Sequence, residues 1–225
     1  MVRTALIVAA LVAAAPAFAQ APAALVEDVE SKSAGVEFMD YVPAGKVIRL
    51  GRGDTLVLSY LKTCWRETIA GGTVTIGAEQ SEIDGGKVER VKVRCDAGKL
   101  QLTEQQAAKS GAMAFRKAPT PAGRAAIPAP QLTLYGLSPL IDLPGGGPLV
   151  LERLDAAGEK HALELGAARL LRGAMFDCAK AGIVLTAGGV YRASSGQREI
   201  VFRIDPNATG AGASLVGRLL KFTPA

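Results

Sequence analysis

Three cysteines, one histidine and a single Ser-x-x-Lys run are the residues of this chain whose types and spacing bear on chemistry. Cys64 stands in LKTCWRETIAGG beside the only tryptophan, Trp65, and Cys95 ends VERVKVRC. A catalytic thiol needs a depressed pKa in an electropositive setting. A closed zinc site needs paired ligand spacing, which three dispersed cysteines and one histidine lack. A structural disulfide needs only a partner and an oxidising compartment. Cys64 and Cys95 are the pair within the first domain and are expected to bridge. Closing that loop stabilises the fold by about 3 to 4 kcal/mol in the chain-entropy model. Cys178 is left over, either as a buried unreactive thiol or as a route to a disulfide-linked dimer.

His161 is the one imidazole available to a serine or cysteine hydrolase. It shares an alternating face with Leu163 and Leu165 in HALEL, beside no nucleophile motif, and reads as a packed or edge residue. Ser59 to Lys62 (SYLK) matches a histidine-free acyl-enzyme pattern, which requires its serine at a helix start. Ser59 lies instead in a β-like run. Arg52-Gly53-Asp54 spells an adhesion tripeptide, and its glycine and aspartate also suit a turn entering a strand. Asn207-Ala208-Thr209 is a glycosylation sequon in a host that glycosylates such sites; otherwise the preceding Asp205-Pro206 marks a turn. Gly145 to Gly147 and Gly210 to Gly212 lack the lysine and hydroxyl residue of a P-loop and the spacing of a dinucleotide fingerprint. They read as loops. Glu27, Asp28 and Glu30 are expected on a solvated face rather than as an acid/base pair. No catalytic residue, cofactor or metal site is assigned.

The elements that hold these residues follow from composition and periodicity. The chain opens MVRTALIVAALVAAAPAFAQA, with Arg3 as a positive n-region, Ala5 to Ala15 as an apolar h-region and Ala17-Phe18-Ala19 as a small-x-small site. This pattern predicts a secretory signal over 1–19, cleaved after Ala19. The run is shorter than the about 20 apolar residues that span a bilayer, and no later run is long enough. Removing 19 of the 225 residues leaves 206, enough for one large β domain or two small ones. Hydrophobic content of 49% against 21% charged residues excludes wholesale disorder. The formal charge of +5 falls to +4 with the loss of Arg3. Export, 5% aromatic residues and the lack of a dense Lys/Arg block argue against a nucleic-acid partner.

Short apolar runs separated by glycine breaks predict strands at Lys46–Leu50, Thr55–Leu61, Thr73–Ile76 and Val88–Cys95. In the last, Val91, Val93 and Cys95 are expected to face inward. A short helix is expected at Thr103–Lys109, and the proline-rich stretch 110–130 reads as a linker. Beyond it, strands are expected at Leu132–Tyr135, Leu149–Leu154, His161–Leu165, Ile183–Thr186, Val190–Ala193, Glu199–Asp205 and Leu215–Phe222. Gly166–Lys180 reads as a short helix or an irregular crossover. The fold class is thus mostly β, as two small antiparallel β domains over 25–109 and 131–225, the second an immunoglobulin-like sandwich.

Two stretches carry family resemblances. Gly45 to Gly77, GKVIRLGRGDTLVLSYLKTCWRETIAGGTVTIG, resembles FecR-type periplasmic domains. LTAGGVYRA, Leu185 to Ala193, is similar to the tyrosine corner of fibronectin-type and immunoglobulin-like sandwiches. That second resemblance implies Tyr191 as a structural corner whose hydroxyl bonds back to the backbone, with Gly188 permitting the turn; Ala187 replaces the usual proline. The first implies a part in envelope sensing or in assembling a surface complex. The chain as a whole reads as a noncatalytic periplasmic or secreted envelope protein that binds or scaffolds a protein complex or a cell-wall polymer. The competing readings are a periplasmic signal-transduction regulator acting through a membrane partner, and an envelope hydrolase.

Overall fold

The computed structural model describes residues 21–97, 127–210 and 213–222. The signal segment 1–19, the helix expected at Thr103–Lys109 and residues 110–126 of the expected linker lie outside the described residues. Within them the chain is mostly β, as expected. The helical element present is a 3-10 turn at Ala167–Arg169.

The first half is an antiparallel sheet of β1 (Pro22–Glu30), β2 (Tyr41–Pro43), β3 (Val47–Tyr60), β4 (Trp65–Ile76), β5 (Ser81–Asp84) and β6 (Lys87–Lys92). The order is β2-β1-β3-β4-β5, with β6 also beside β4. Strands expected on either side of Arg52-Gly53-Asp54 are one strand, β3, interrupted by a bulge rather than a turn. Leu50 pairs with Gly72 and Thr55 with Ala70, so Gly51 to Asp54 oppose the single Gly71. The bulge closes on the Asp54 carboxylate, which accepts from the Gly51 N–H at 2.9 Å and the Ser31 hydroxyl at 2.6 Å. β5 and β6 continue one register along β4, with Thr73 facing Asp84 and Ala70 facing Lys87. Gly85-Gly86 separates them across from Gly71-Gly72. Bulge and glycines thus align across three strands, and extra residues with no side chains to pack are what let a sheet curl.

The second half stacks two sheets. One is ordered β10 (Lys160–Leu165), β9 (Gly147–Arg153), β12 (Val190–Ser195), β13 (Arg198–Thr209) and β7 (Leu132–Gly136). The other is β11 (Met175–Asp177), β8 (Leu140–Asp142) and β14 (Leu219–Lys221). β7 with β13 and β14 with β8 pair parallel; the other ladders are antiparallel. Ile200, Phe202 and Ile204 of β13 point into the common core, with Arg203 outward, as period-2 alternation requires.

Of the two readings for Gly166–Lys180, the structure has the irregular crossover, containing the 3-10 turn and β11. Several other sequence expectations need correction. Ile183–Thr186 is not in a strand; Ile183 and Leu185 are buried without a ladder. Of Leu215–Phe222 only Leu219–Lys221 pairs. Asp205-Pro206 is no turn, because β13 runs on to Thr209. Its ladder with β7 breaks between Ile204 and Thr209, which accommodates a proline lacking an N–H. Val91 is 49% exposed instead of inward. β6 is the outer strand there, and only Val93 and Cys95 beyond it reach the second core.

The two halves do not keep separate cores. Alternate residues of β1 serve different sides: Ala24 and Val26 pack with Ile48, Leu56, Leu58 and Tyr60, whereas Leu25 joins Met39 and Leu61 in the core of the second half. Burying each leucine there is worth roughly 2 kcal/mol. Hydrogen bonds flank this contact: Tyr41 to Asp142 at 2.9 Å, and the Thr133 N–H to Asp96 at 2.8 Å.

The glycine line yields a prediction. Gly72 has φ +86°, and an added Cβ would lie 2.5 Å from the Asp84 carbonyl oxygen and 2.6 Å from the Gly86 nitrogen. Gly45, with φ +83°, faces open space. Gly45→Ala should cost roughly 1 kcal/mol, and Gly72→Ala about 3 kcal/mol or more. Urea unfolding of the two variants measures the difference; equal midpoints would contradict the close approach.

Candidate functional site

The β3–β4 connection places Cys64 at its end. The Cys64 N–H donates to the Tyr60 carbonyl at 3.0 Å, and Cys64 has φ 55°, a left-handed value that favours glycine. Its sulfur is bonded to Cys95, with a Cα separation of 5.8 Å. The disulfide expected from the sequence is therefore present. It ties the hairpin tip to the chain leaving β6, where the Val93 N–H also donates to the Cys64 carbonyl at 2.9 Å.

Beside the bridge an open groove of about 660 Å³ runs along the seam between the halves. It is lined by Lys62, Thr63, Cys64 and Glu79, by Lys92 to Cys95 and Ala97, and, from the second half, by Tyr135 and Asp205. Four of its five charges are arranged in two pairs. Lys62 contacts Glu79 at 2.9 Å, with both side chains more than half exposed. Arg94 contacts Asp205 at 3.0 Å and stacks 4.6 Å from the Tyr135 ring centre. The Lys92 ammonium bonds the Thr63 carbonyl and lies 4.7 Å over the Trp65 ring, without a carboxylate partner among the described residues. The Lys62 hydrogen bond and charge, aided by the charge of Lys92, hold the Glu79 carboxyl below its ordinary range.

The other sequence candidates lie apart from this groove. Ser59 is fully buried in β3 and its hydroxyl has no hydrogen-bond partner among the described residues, whereas Lys62 is committed to Glu79 at the surface. The two do not form a dyad. His161 sits on β10 opposite Leu151. Arg52 and Gly53 are exposed on the bulge, and Asp54 is turned to Ser31. Cys178 is buried in the second core, and burial, with the Asp177 charge, pushes its thiol up to about 12. Tyr191 is buried at the start of β12. Its hydroxyl accepts from the Thr186 N–H at 2.8 Å and donates to Glu159 at 2.7 Å. Gly188 has φ +79°. Gly189 was not singled out in the sequence, yet a Cβ there would lie 2.6 Å from the Tyr191 ring. Among the described residues no group of three or more His, Cys, Asp or Glu side chains converges as a metal site would.

Glu27, expected on a solvated face, is buried. It accepts from Arg66 Nε at 2.7 Å and, across the seam, from the Leu215 N–H at 2.8 Å. A second buried carboxylate, Glu67, accepts from Arg90 Nε at 2.7 Å and the Ser81 N–H at 3.1 Å. Arg90 also bonds the Ser81 carbonyl, and the Ser81 hydroxyl pairs with Tyr60, whose phenol burial raises to about 12. The sequence signal for both was a glutamate in phase with apolar neighbours: Leu25 with Glu27, and Glu67 with Ile69. On the second half, Arg218 makes a forked pair with Asp177 at 2.7 and 3.1 Å, with side chains 12% and 6% exposed.

No family model, curated protein or solved structure matches this chain.

The Asp177 pair predicts a pH dependence. Burial acts to raise its pKa, but the Arg218 hydrogen bonds and charge, with the Ala179 N–H, overcome it and hold the carboxyl below 3.8. The unfolded chain then binds more protons near pH 4 than the folded one. The stabilisation is complete above that value and is lost as pH falls through the depressed folded pKa. Asp177→Asn leaves Arg218 without its counter-charge and should cost about 3 kcal/mol at pH 7. Urea midpoints from pH 7 to 2 should fall more steeply for the parent than for the variant; parallel curves would remove Asp177 as a cause.

Proposed function

We propose that the protein is an exported, noncatalytic binding module of the cell envelope, whose seam groove receives a protein partner or a cell-wall polymer. The observation that carries this reading is the groove itself: an open volume of about 660 Å³ walled by both halves and braced by a disulfide. Its size lies within the range of ligand sites, and the Cys64–Cys95 bond ties two of its lining segments together. Export is supported by the signal pattern of residues 1–19 and by the intramolecular disulfide. Among the described residues no helix is long and apolar enough to cross a membrane. The noncatalytic reading is supported by the separation of Ser59 from Lys62, the burial of Cys178 and the structural use of the buried carboxylates. The resemblance of Gly45 to Gly77 to FecR-type domains agrees with an envelope setting.

The test is crosslinked capture from the native envelope fraction with the mature chain and with Ala97→Trp. Ala97 is exposed and lines the groove, so the larger side chain obstructs it without disturbing a core. A protein or polymer captured by the parent and lost in the variant, at an unchanged unfolding midpoint, is the expected result. Equal capture by both would show that the groove is not the site.

A further inference from the structure

We infer that the seam groove binds an acidic glycan, with the ligand's carboxylates taken between Lys62 and Lys92. This rests on the binding-module reading above and names the ligand class for that same site. Three cations, Lys62, Lys92 and Arg94, line the groove against two carboxylates, Glu79 and Asp205. Arg94 is matched by Asp205, and Lys62 by Glu79. Lys92 is left with a carbonyl and an aromatic face as its partners. Among the described residues that line the groove, one positive charge is therefore left without an ion-paired carboxylate.

Glu79 shows where an anion sits. Its carboxylate lies 2.9 Å from Lys62, and Lys92 bonds the carbonyl of the next residue, Thr63, whose hydroxyl in turn bonds the Glu79 carbonyl, so Glu79 marks the position that an incoming carboxylate would take. The Lys62–Glu79 pair is exposed at 52% and 62%, and such pairs contribute little to stability. A ligand carboxylate can displace Glu79 at small expense. The remaining lining favours a sugar chain over a peptide. Val93 and Ala97 are the aliphatic side chains of the groove, which leaves no deep apolar pocket to anchor peptide side chains. The Thr63 and Tyr135 side chains and the charged groups supply a polar surface with one aromatic wall.

The probes are α-1,4-linked tetragalacturonate, hyaluronate tetrasaccharide, the fully methyl-esterified tetragalacturonate and a tetraglutamate peptide, each titrated into the mature protein by calorimetry. Binding of at least one acidic oligosaccharide, weakened by methyl-esterification and by added salt, is expected. Lys62→Gln and Lys92→Gln should each weaken it about tenfold, since each removes a charge-assisted hydrogen bond. Glu79→Gln should strengthen it several-fold by removing the built-in competitor, an effect that lost folding cannot imitate. Equal binding of tetraglutamate would overturn the glycan assignment. Binding that ignores esterification or the lysine substitutions would overturn the anion site. Failure of every acidic oligosaccharide would also overturn it. If capture from the envelope remains sensitive to Ala97→Trp in that case, the binding-module reading stands; if capture is insensitive as well, both fail.

Discussion

Leu25, Met39 and Leu61 leave the first half's own core and complete the core of the second, and most other features of the molecule answer to that burial. A sheet covered on both faces cannot follow a simple inside-outside alternation. β3 accordingly ends in five consecutive buried residues, Leu56 to Tyr60. Any charged group in the covered region must be matched, because an unpaired buried charge is severely unfavourable. Glu27 meets that condition with Arg66 from its own sheet and the Leu215 N–H from the other half. The halves are thereby joined by apolar contact and by a carboxylate that reaches across it.

The Cys64–Cys95 bridge acts at the margin of the same seam. It holds the hairpin tip against the segment that sends Arg94 to Asp205 and Asp96 to the Thr133 N–H. The turn accepts a left-handed cysteine where glycine is easier, so the position of the sulfur takes precedence over backbone comfort. Where the bridge and Tyr135 stand apart, the groove opens. Its charges remain near the surface and are therefore exchangeable, unlike the Glu67–Arg90 and Asp177–Arg218 pairs inside.

Much of this was legible in the residues. The strand runs Val190–Ala193 and Glu199–Asp205 fall inside β12 and β13, because a half-buried strand writes its two faces into alternate positions. The pairing of Cys64 with Cys95 followed from compartment and position. What escaped was decided by long-range contact. Glu27 looks solvated until Leu215, far along the chain, is placed over it. Val91 looks inward until β6 is known to extend beyond the cover of the second half. The bulge at Gly51 to Asp54 reads as a turn because glycine and aspartate serve both. The groove needed Lys62, Lys92 and Tyr135 from three distant stretches, and no local pattern announces such a meeting.

The shared core is tested most directly by following urea unfolding simultaneously at Trp65, the single tryptophan and a probe of the first half, and by amide exchange in β12 and β13 of the second. Coincident transitions are predicted, both shifted to lower urea by Leu61→Ala, whose loss should cost about 2 to 5 kcal/mol. Two separate transitions, with Leu61→Ala moving only the one reported by Trp65, would contradict the account.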